Sequence, residues 1–168
     1  KGTYEVAGSL RLSHAGVVLR GSGAGEGGTV LLATGQDRET LLQVGGKDNR
    51  ATELVGNVID EYVPVNAMSM QVKTTQLHPG DRIEIRRPST DQWITATGTA
   101  HFGGGNTTLG WKPGNEDICW EREVVEVEGN LITIDAPLTT ALDKSFGQAT
   151  VSRLSWPGRI DHCGIENM

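Results

Sequence analysis

Four short runs of β-favouring residues lie close together in the first quarter of the chain. Glycine-rich or polar residues separate these runs, which are Ser9–Leu12, Val17–Arg20, Thr29–Ala33 and Thr40–Val44. Runs this closely spaced leave no room for crossover helices, so the segment forms either an antiparallel meander or a solenoid of stacked coils. Both Val17-Val18-Leu19 and Val30-Leu31-Leu32 are continuously apolar, which is typical of strands buried on both faces. The pattern therefore favours the solenoid.

From about residue 56 onwards the apolar residues alternate with polar ones, as in antiparallel strands with one exposed face. Met68–Val72 places its two methionines and its valine on one face. In Arg82–Arg86 the alternation predicts that Ile83 and Ile85 are buried, whereas both arginines and Glu84 face water. This part of the chain is expected to form a separate antiparallel structure.

One hairpin is indicated by its turn residues. Glu123–Glu128 and Leu131–Asp135 are rich in β-favouring residues, and only Gly129 and Asn130 separate them. A two-residue hairpin turn requires positive φ angles, which glycine and asparagine tolerate. We therefore predict that the two runs pair as a tight hairpin. Pro137 follows the second strand, where the lack of an N–H group ends the pairing.

The beginning and the end of the chain resemble a known family. The segment 16–23 (GVVLRGSG) and the segment 28–32 (GTVLL) resemble the opening coils of the pectate-lyase-like right-handed parallel β-helix superfamily. In that family a V-x-L-x-G strand precedes a glycine-rich turn and a T-V-L strand. Arg159–Asn167 is similar to a later coil. The resemblance implies an all-β chain, in which residues 1–55 and 150–168 form β-helix coils and residues 56–149 form an inserted antiparallel, barrel-like domain.

Such coils stack their apolar side chains in layers. If the resemblance holds, Val17–Arg20 and Arg159–Ile165 lie in one parallel sheet, and a shared core contains Val17, Leu19, Val30, Leu32, Leu42 and Ile165. A coil left open at Met168 exposes unpaired backbone groups, so we expect either a homodimer through that end or a cap formed by the insertion.

The resemblance also implies a class of function. It suggests a carbohydrate-active protein of the extracellular space, the cell surface or the periplasm, acting as a polysaccharide lyase or a glycoside hydrolase with its catalytic residues beyond Met168. Because the chain begins at Lys1, we expect a processed product or an excised piece of a longer protein. The same coils also serve non-catalytic glycan-binding modules and structural solenoids such as adhesins and tail fibres. Those two alternatives stay open.

Charge and composition argue against several other partners. The 21 acidic residues exceed the 15 basic ones, and a nucleic-acid binder needs a basic face. No apolar run is long enough to span a membrane.

The histidines and cysteines show no metal-ligand spacing, so neither a metal nor a cofactor is indicated. Cys119 and Cys163 form either a disulfide or two separate thiols. Asp161 and His162 are either part of a catalytic ladder or a turn residue beside a partly buried histidine.

Three tryptophans lie in or beside the glycine-rich loop 98–114, whose centre is Gly103-Gly104-Gly105-Asn106. Indole rings stack on sugar faces, and nearby charged groups orient a polar ligand. The candidate ligand-binding residues are therefore Trp93, Trp111, Trp120, Arg86, Arg87 and Asp91. Trp111 is expected to be exposed, whereas Trp93 and Trp120 either line the ligand or fill the core of the insertion. A further pattern is a basic stripe of Arg82, Arg86, Arg87 and Lys73. It either contacts an acidic glycan or takes part in cross-strand charge pairing on a solvated face, because Glu84 lies between Arg82 and Arg86.

Overall fold

The computed structural model describes residues 1–73, 76–102 and 109–168. The chain is all-β, with 41% of its residues in strands and 6% in helices. It divides into two compact units: unit 1 is Lys1–Arg50 with Trp156–Met168, and unit 2 is Ala51–Ser155. The domain boundaries at 55/56 and 149/150 stay a prediction.

The elements are numbered in chain order. They are β1 (Gly2–Val6), β2 (Leu10–Leu12), β3 (Val18–Arg20), β4 (Thr29–Ala33), β5 (Leu42–Val44), β6 (Ala51–Asn57), β7 (Tyr62–Val63), β8 (Ser69–Gln71), β9 (Arg82–Arg87), α1 (Asp91–Thr97), β10 (Ile118–Glu128), β11 (Leu131–Ile134), β12 (Leu142–Asp143), the 3-10 helix η1 (Lys144–Phe146), β13 (Thr150–Ser155) and β14 (Gly164–Glu166).

Unit 1 consists of parallel strand pairs. β1 pairs with β4, β2 with β5, and β3 with β14, all in the parallel sense. In the third pair Gly164 lies opposite Val18 and Ile165 lies opposite Leu19. The predicted parallel pairing of the first and last segments is therefore confirmed, and an antiparallel meander is wrong for these strands. A complete right-handed β-helix stays a prediction.

The predicted core of unit 1 is wrong for most of its residues. Val17, Val30, Leu32 and Ile165 are exposed, Val30 by 51%, whereas Leu19 and Leu42 are half-buried. In β4 the side chains alternate, so that the half-buried Leu31 lies between two exposed residues. The apolar runs are thus one-sided strands in two-stranded sheets. All buried hydrophobic residues of the described ranges lie between Val58 and Leu154, in unit 2.

Unit 2 contains a six-stranded antiparallel sheet in the order β6-β13-β9-β10-β11-β8. Its edge strands are β6 and β8, and one isolated bridge, Val58 to Val72, joins the chain beyond them. Within the described residues the sheet does not close into the barrel that the sequence predicted, because no continuous ladder joins its edges. β6 and β13 pair along their length, with Ala51 opposite Ser155. The two ends of unit 2 are therefore neighbours.

The predicted hairpin is confirmed. β10 and β11 pair with Glu128 opposite Leu131, and Gly129 lies at the turn with a φ of +63°. Ile83 and Ile85 are fully buried, as predicted. Glu84 is also buried, against the expectation that it faces water. On its face of the sheet Glu84 lies between Glu121 of β10 and Ser152 of β13, and the Arg86 side chain pairs with it at 3.7 Å.

Helix α1 was not predicted. The Thr90 side chain caps its beginning, and Gly98 ends it in the left-handed conformation with a φ of +69°. Local capping defines this short helix, because seven residues are too few to show a helical period. The loop predicted at 98–114 begins at this glycine, and its centre, Gly103-Gly104-Gly105-Asn106, lies outside the described residues.

Candidate functional site

Trp93 is positioned by the start of α1. The Thr90 hydroxyl accepts a hydrogen bond from the Trp93 backbone N–H at 3.2 Å and donates one to the Phe146 carbonyl. These two bonds connect the first turn of α1 to η1. Trp93 is half-buried beside Ile94, which is buried. The indole of Trp93 therefore projects from an element that is tied to the rest of unit 2.

Trp111 stacks on Trp93. The ring centroids are 5.3 Å apart and the planes differ by 15°. The Trp111 backbone N–H donates to the Thr99 carbonyl at 2.9 Å, which holds the tryptophan beside the end of α1. Trp111 is half-buried, so the expectation that it is exposed is wrong. The physical reason is the stack itself, because the neighbouring indole covers part of its surface.

A buried serine anchors the segment that follows Trp111. The Ser89 hydroxyl donates to Asp117 Oδ1 at 2.9 Å and accepts from the backbone N–H groups of Gly114 and Glu116 at 3.0 and 3.1 Å. The Ser89 backbone N–H donates to the same carboxylate oxygen at 2.8 Å. This network joins the end of β9 to the chain leading into β10. It fixes the segment on the C-terminal side of Trp111.

Arg87 lies against the other member of the stack. Its Cζ atom is 4.4 Å from the centroid of the Trp93 ring, within the range of a cation–π contact. Arg87 is half-buried. Desolvation by this burial lowers the pKa of Arg87, and the negative charge of Asp143 opposes that shift. The guanidinium is thus a cation with incomplete solvation.

A cleft of about 310 Å³ opens beside this stack. We call it the Tyr62 cleft, and its lining consists of Tyr62, Arg87, Trp93, Ala96, Thr97, Thr140, Ala141, Asp143 and Phe146. One wall is the β7–β12 pair, in which Asp143 lies opposite Tyr62. The Tyr62 side chain is 58% exposed. Asp143 Oδ1 accepts hydrogen bonds from the backbone N–H and the hydroxyl of Ser145.

The structure brings only some of the predicted site residues together. Arg87, Trp93 and Trp111 form one stack, and the first two line the Tyr62 cleft. Trp120 is 5% exposed and belongs to the hydrophobic core, where its Nε1–H donates to Thr139 Oγ1 at 2.9 Å. For Trp120, therefore, the core alternative describes its position in the structure.

Arg86 and Asp91 lie elsewhere. Arg86 is exposed and forms ion pairs with Asp117 at 3.4 Å and with Glu84 at 3.7 Å. The sequence offered charge pairing across strands on a solvated face as an alternative, whereas the Glu84 pair lies within β9 and Glu84 is buried. Asp91 is exposed in the first turn of α1. A role for either residue in ligand binding stays a prediction.

Several residues of the cleft were missed in the sequence. Tyr62, Thr140 and Phe146 carry no motif, and β7 and β12 are only two residues long. Asp143 has a weak signal, since Asp143-Lys144-Ser145 has the spacing of an Asx turn, which the hydrogen bonds to Ser145 show it to be. That signal predicts a turn but no ligand.

The remaining candidate groups lie outside the cleft. Cys119 and Cys163 are free thiols, and burial raises the pKa of Cys119. In unit 1 Asp161 and His162 are exposed, with 3.0 Å between Asp161 Oδ1 and His162 Nδ1. Hydrogen bonding to Asp161 raises the pKa of His162.

Among the described residues, no cluster of three or more His, Cys, Asp or Glu is arranged to hold a metal ion. No helix in the same ranges has the length and apolarity needed to cross a membrane.

Three solved structures with which the chain shares a likeness are phage tailspikes. The first is the tailspike protein gp49 from Pseudomonas phage LKA1, with a TM-score of 0.42 and 19% sequence identity over 89% of this chain and 21% of that one. The second is the Gp54 tailspike of Acinetobacter baumannii bacteriophage AP22 in complex with A. baumannii capsular saccharide, with a TM-score of 0.45 and 14% identity over 98% of this chain and 22% of that one. The third is the Pseudomonas phage phi297 tailspike gp61, with a TM-score of 0.45 and 16% identity over 98% of this chain and 23% of that one. The chain thus spans about a fifth of the length of these tailspikes. No family model matches the sequence, and no curated protein matches it.

Proposed function

We propose that this chain binds a saccharide in the Tyr62 cleft, as a non-catalytic glycan-binding module. The observation that carries the proposal is the combination of aromatic rings and charged groups in one opening. Tyr62 and Trp93 supply apolar ring surfaces, and Arg87 and Asp143 supply a hydrogen-bond donor and an acceptor. Sugar rings present both apolar C–H faces and polar hydroxyl edges, so they match such a lining.

The dimensions of the cleft favour a short segment of glycan. Small-molecule sites occupy about 300–1,000 Å³, and the Tyr62 cleft lies at the lower end of this range. Trp93 is already in contact with Trp111 and Arg87, so the exposed ring of Tyr62 is the better stacking surface. A sugar stacked on Tyr62 lies beside Asp143, because the two residues are opposite each other in the β7–β12 pair.

The test is a titration of the purified chain with a panel of neutral and acidic oligosaccharides by isothermal calorimetry. We expect Tyr62→Ala to weaken binding by roughly threefold to tenfold, since an aromatic contact contributes about 0.5–1.5 kcal/mol beyond its buried area. Tyr4→Ala is the matched control, because Tyr4 is an exposed tyrosine of unit 1. If wild-type chain binds no member of the panel, or if Tyr62→Ala binds as tightly as wild type, the proposal is wrong.

A second candidate is a part in polysaccharide cleavage. Parallel pairing of β3 with β14 and of β2 with β5 favours it, because pectate-lyase-like coils pair in this sense. We infer that catalytic residues of such a lyase or hydrolase would lie outside residues 1–168. Asp143 is the one carboxylate in the described lining of the cleft, and glycoside hydrolysis ordinarily uses two. Release of reducing ends or of unsaturated products by this chain alone would contradict that inference.

We further propose that the chain acts outside the cell and that two copies associate through the open coil end at Met168. Ile165 of β14 lies close to that end and is exposed, which leaves apolar surface that a second chain can cover. Sedimentation analysis of the chain tests it. A monomer at every concentration would contradict it without affecting glycan binding.

A further inference from the structure

Arg87 lines the Tyr62 cleft, and its guanidinium has hydrogen-bond donors that no described residue fills. Within residues 1–73, 76–102 and 109–168, its contacts are the Trp93 ring at 4.4 Å and a longer-range attraction to Asp143, and no acceptor lies within hydrogen-bond distance. A guanidinium carries five N–H donors in a planar fork. A ligand that enters the cleft therefore meets donors that no residue of the described ranges occupies.

The setting of this guanidinium favours an anion over a neutral hydroxyl. The side chain is half-buried, so water solvates the charge incompletely, and this burial lowers the pKa of Arg87. Its contact with Trp93 also restricts the side chain, which reduces the entropy that is lost when a ligand binds. Arginine in such a position binds carboxylates through two parallel hydrogen bonds.

Asp143 determines the second half of the recognition. Its Oδ1 atom already accepts from Ser145, so the carboxylate is held in one orientation. An ionised carboxylate only accepts hydrogen bonds, and it repels a second negative charge. A sugar hydroxyl is therefore the suitable partner for Asp143, whereas a negative group on the ligand has to lie on the Arg87 side of the cleft.

On the basis of the saccharide-binding function proposed above, we propose that the Tyr62 cleft selects sugars that carry a carboxylate. Arg87 binds this carboxylate through its fork, and Asp143 accepts a hydrogen bond from a neighbouring hydroxyl of the same sugar. Tyr62 covers the apolar face of the ring. Uronic and sialic acids have this chemistry, and neutral hexoses lack the group that Arg87 recognises.

The first experiment changes the ligand and leaves the protein intact. Wild-type chain is titrated with oligogalacturonate, with hyaluronan fragments and with oligosialic acid, each beside the same oligosaccharide after reduction of its carboxylates to alcohols. We expect at least one acidic form to bind roughly tenfold to hundredfold more tightly than its reduced partner, because a hydrogen bond between charged groups increases affinity by about this factor. Salt should weaken the acidic complex more than any neutral one. Equal binding of acidic and reduced forms overturns this inference and leaves saccharide binding intact, whereas no binding at all overturns both.

The second experiment changes the charge on the protein. Arg87→Gln is expected to abolish the preference for the acidic form, and Arg87→Lys is expected to retain only part of it, because lysine lacks the planar fork. Arg82→Gln is the control, since Arg82 is an exposed arginine of the same strand and its replacement removes the same charge. Circular dichroism verifies that each variant folds. An Arg87→Gln variant that folds and keeps the wild-type preference overturns the inference, as does an equal loss in Arg82→Gln.

Discussion

Replacement of Ser89 by alanine tests whether its hydrogen bonds hold the chain that follows Trp111. The serine is 3% exposed, and its hydroxyl contacts Asp117 Oδ1 and the N–H groups of Gly114 and Glu116 within 3.1 Å. Two of these partners keep an alternative. Gly114 N–H also donates to the Ser89 carbonyl at 2.9 Å, and Asp117 also accepts from the Ser89 N–H.

The expected cost follows from this inventory. Each lost hydrogen bond contributes about 0.5–1.5 kcal/mol, and bonds to a charged group contribute more, so Ser89→Ala should lower the free energy of unfolding by about 1–3 kcal/mol. Asp117→Asn should cost a similar amount. The double variant should cost less than the sum of the two, since both substitutions break one network.

Urea unfolding followed by tryptophan fluorescence measures this effect, because Trp93, Trp111 and Trp120 all lie in unit 2. The dependence of the unfolding free energy on urea should stay unchanged, as the surface exposed on unfolding is the same. Ser155→Ala, at the exposed end of β13, is the control and should change stability by less than about 0.5 kcal/mol. A Ser89→Ala chain as stable as that control would refute the reasoning.

Three further substitutions test separate parts of the structure. Trp120→Phe should lower the free energy of unfolding by about 1–3 kcal/mol, because the hydrogen bond to Thr139 and some buried surface are lost. Saccharide affinity in calorimetry should stay unchanged, and weaker binding would contradict the position of Trp120 in the core. Gly129→Ala should lower the thermal midpoint through a cost of about 1–2 kcal/mol, because the turn holds a positive φ, and an unchanged midpoint would contradict the turn geometry. Asp161→Asn should lower the pKa of His162 in an NMR titration, since hydrogen bonding to Asp161 raises it. The raised pKa means that this contact favours the folded chain at acidic pH and that its contribution disappears as the pH rises through the titration of His162, so a pKa unaffected by Asp161→Asn would exclude the contact.

The parts of the fold that the sequence predicted are those fixed by local chemistry. Gly129-Asn130 determines a turn by itself, and the alternation around Ile83 and Ile85 identifies the buried face of a strand. In unit 1 the parallel pairing was predicted correctly. The continuous apolar runs, however, predicted buried side chains at positions that are exposed in the structure. Val30 and Leu32 belong to a sheet that is covered on one side only, and the sequence does not specify how many sheets pack around a strand.

The candidate site was predictable only in part, because it assembles from distant segments. Arg87 and Trp93 are close in sequence, and both were predicted. Tyr62 and Asp143 come together through β7 and β12, and a pairing of two residues per strand leaves no periodic pattern. The position of Trp120 was undetermined in the sequence, since a tryptophan suits both a core and a ligand site.

The pairing of Ala51 with Ser155 has a consequence for the order of folding. Unit 1 is assembled from two pieces of chain, and its β3–β14 contact requires that all of unit 2 be enclosed in a loop. Closing so long an unfolded loop has an entropic cost, and contacts between residues far apart in sequence form slowly. Once β6 and β13 are paired, Ala51 lies opposite Ser155. The two pieces of unit 1 then start from neighbouring residues, and the effective loop between β3 and β14 is much shorter. We therefore expect the six-stranded sheet of unit 2 to fold first, and the parallel pairing of β3 with β14 to follow quickly because its two segments are already close together.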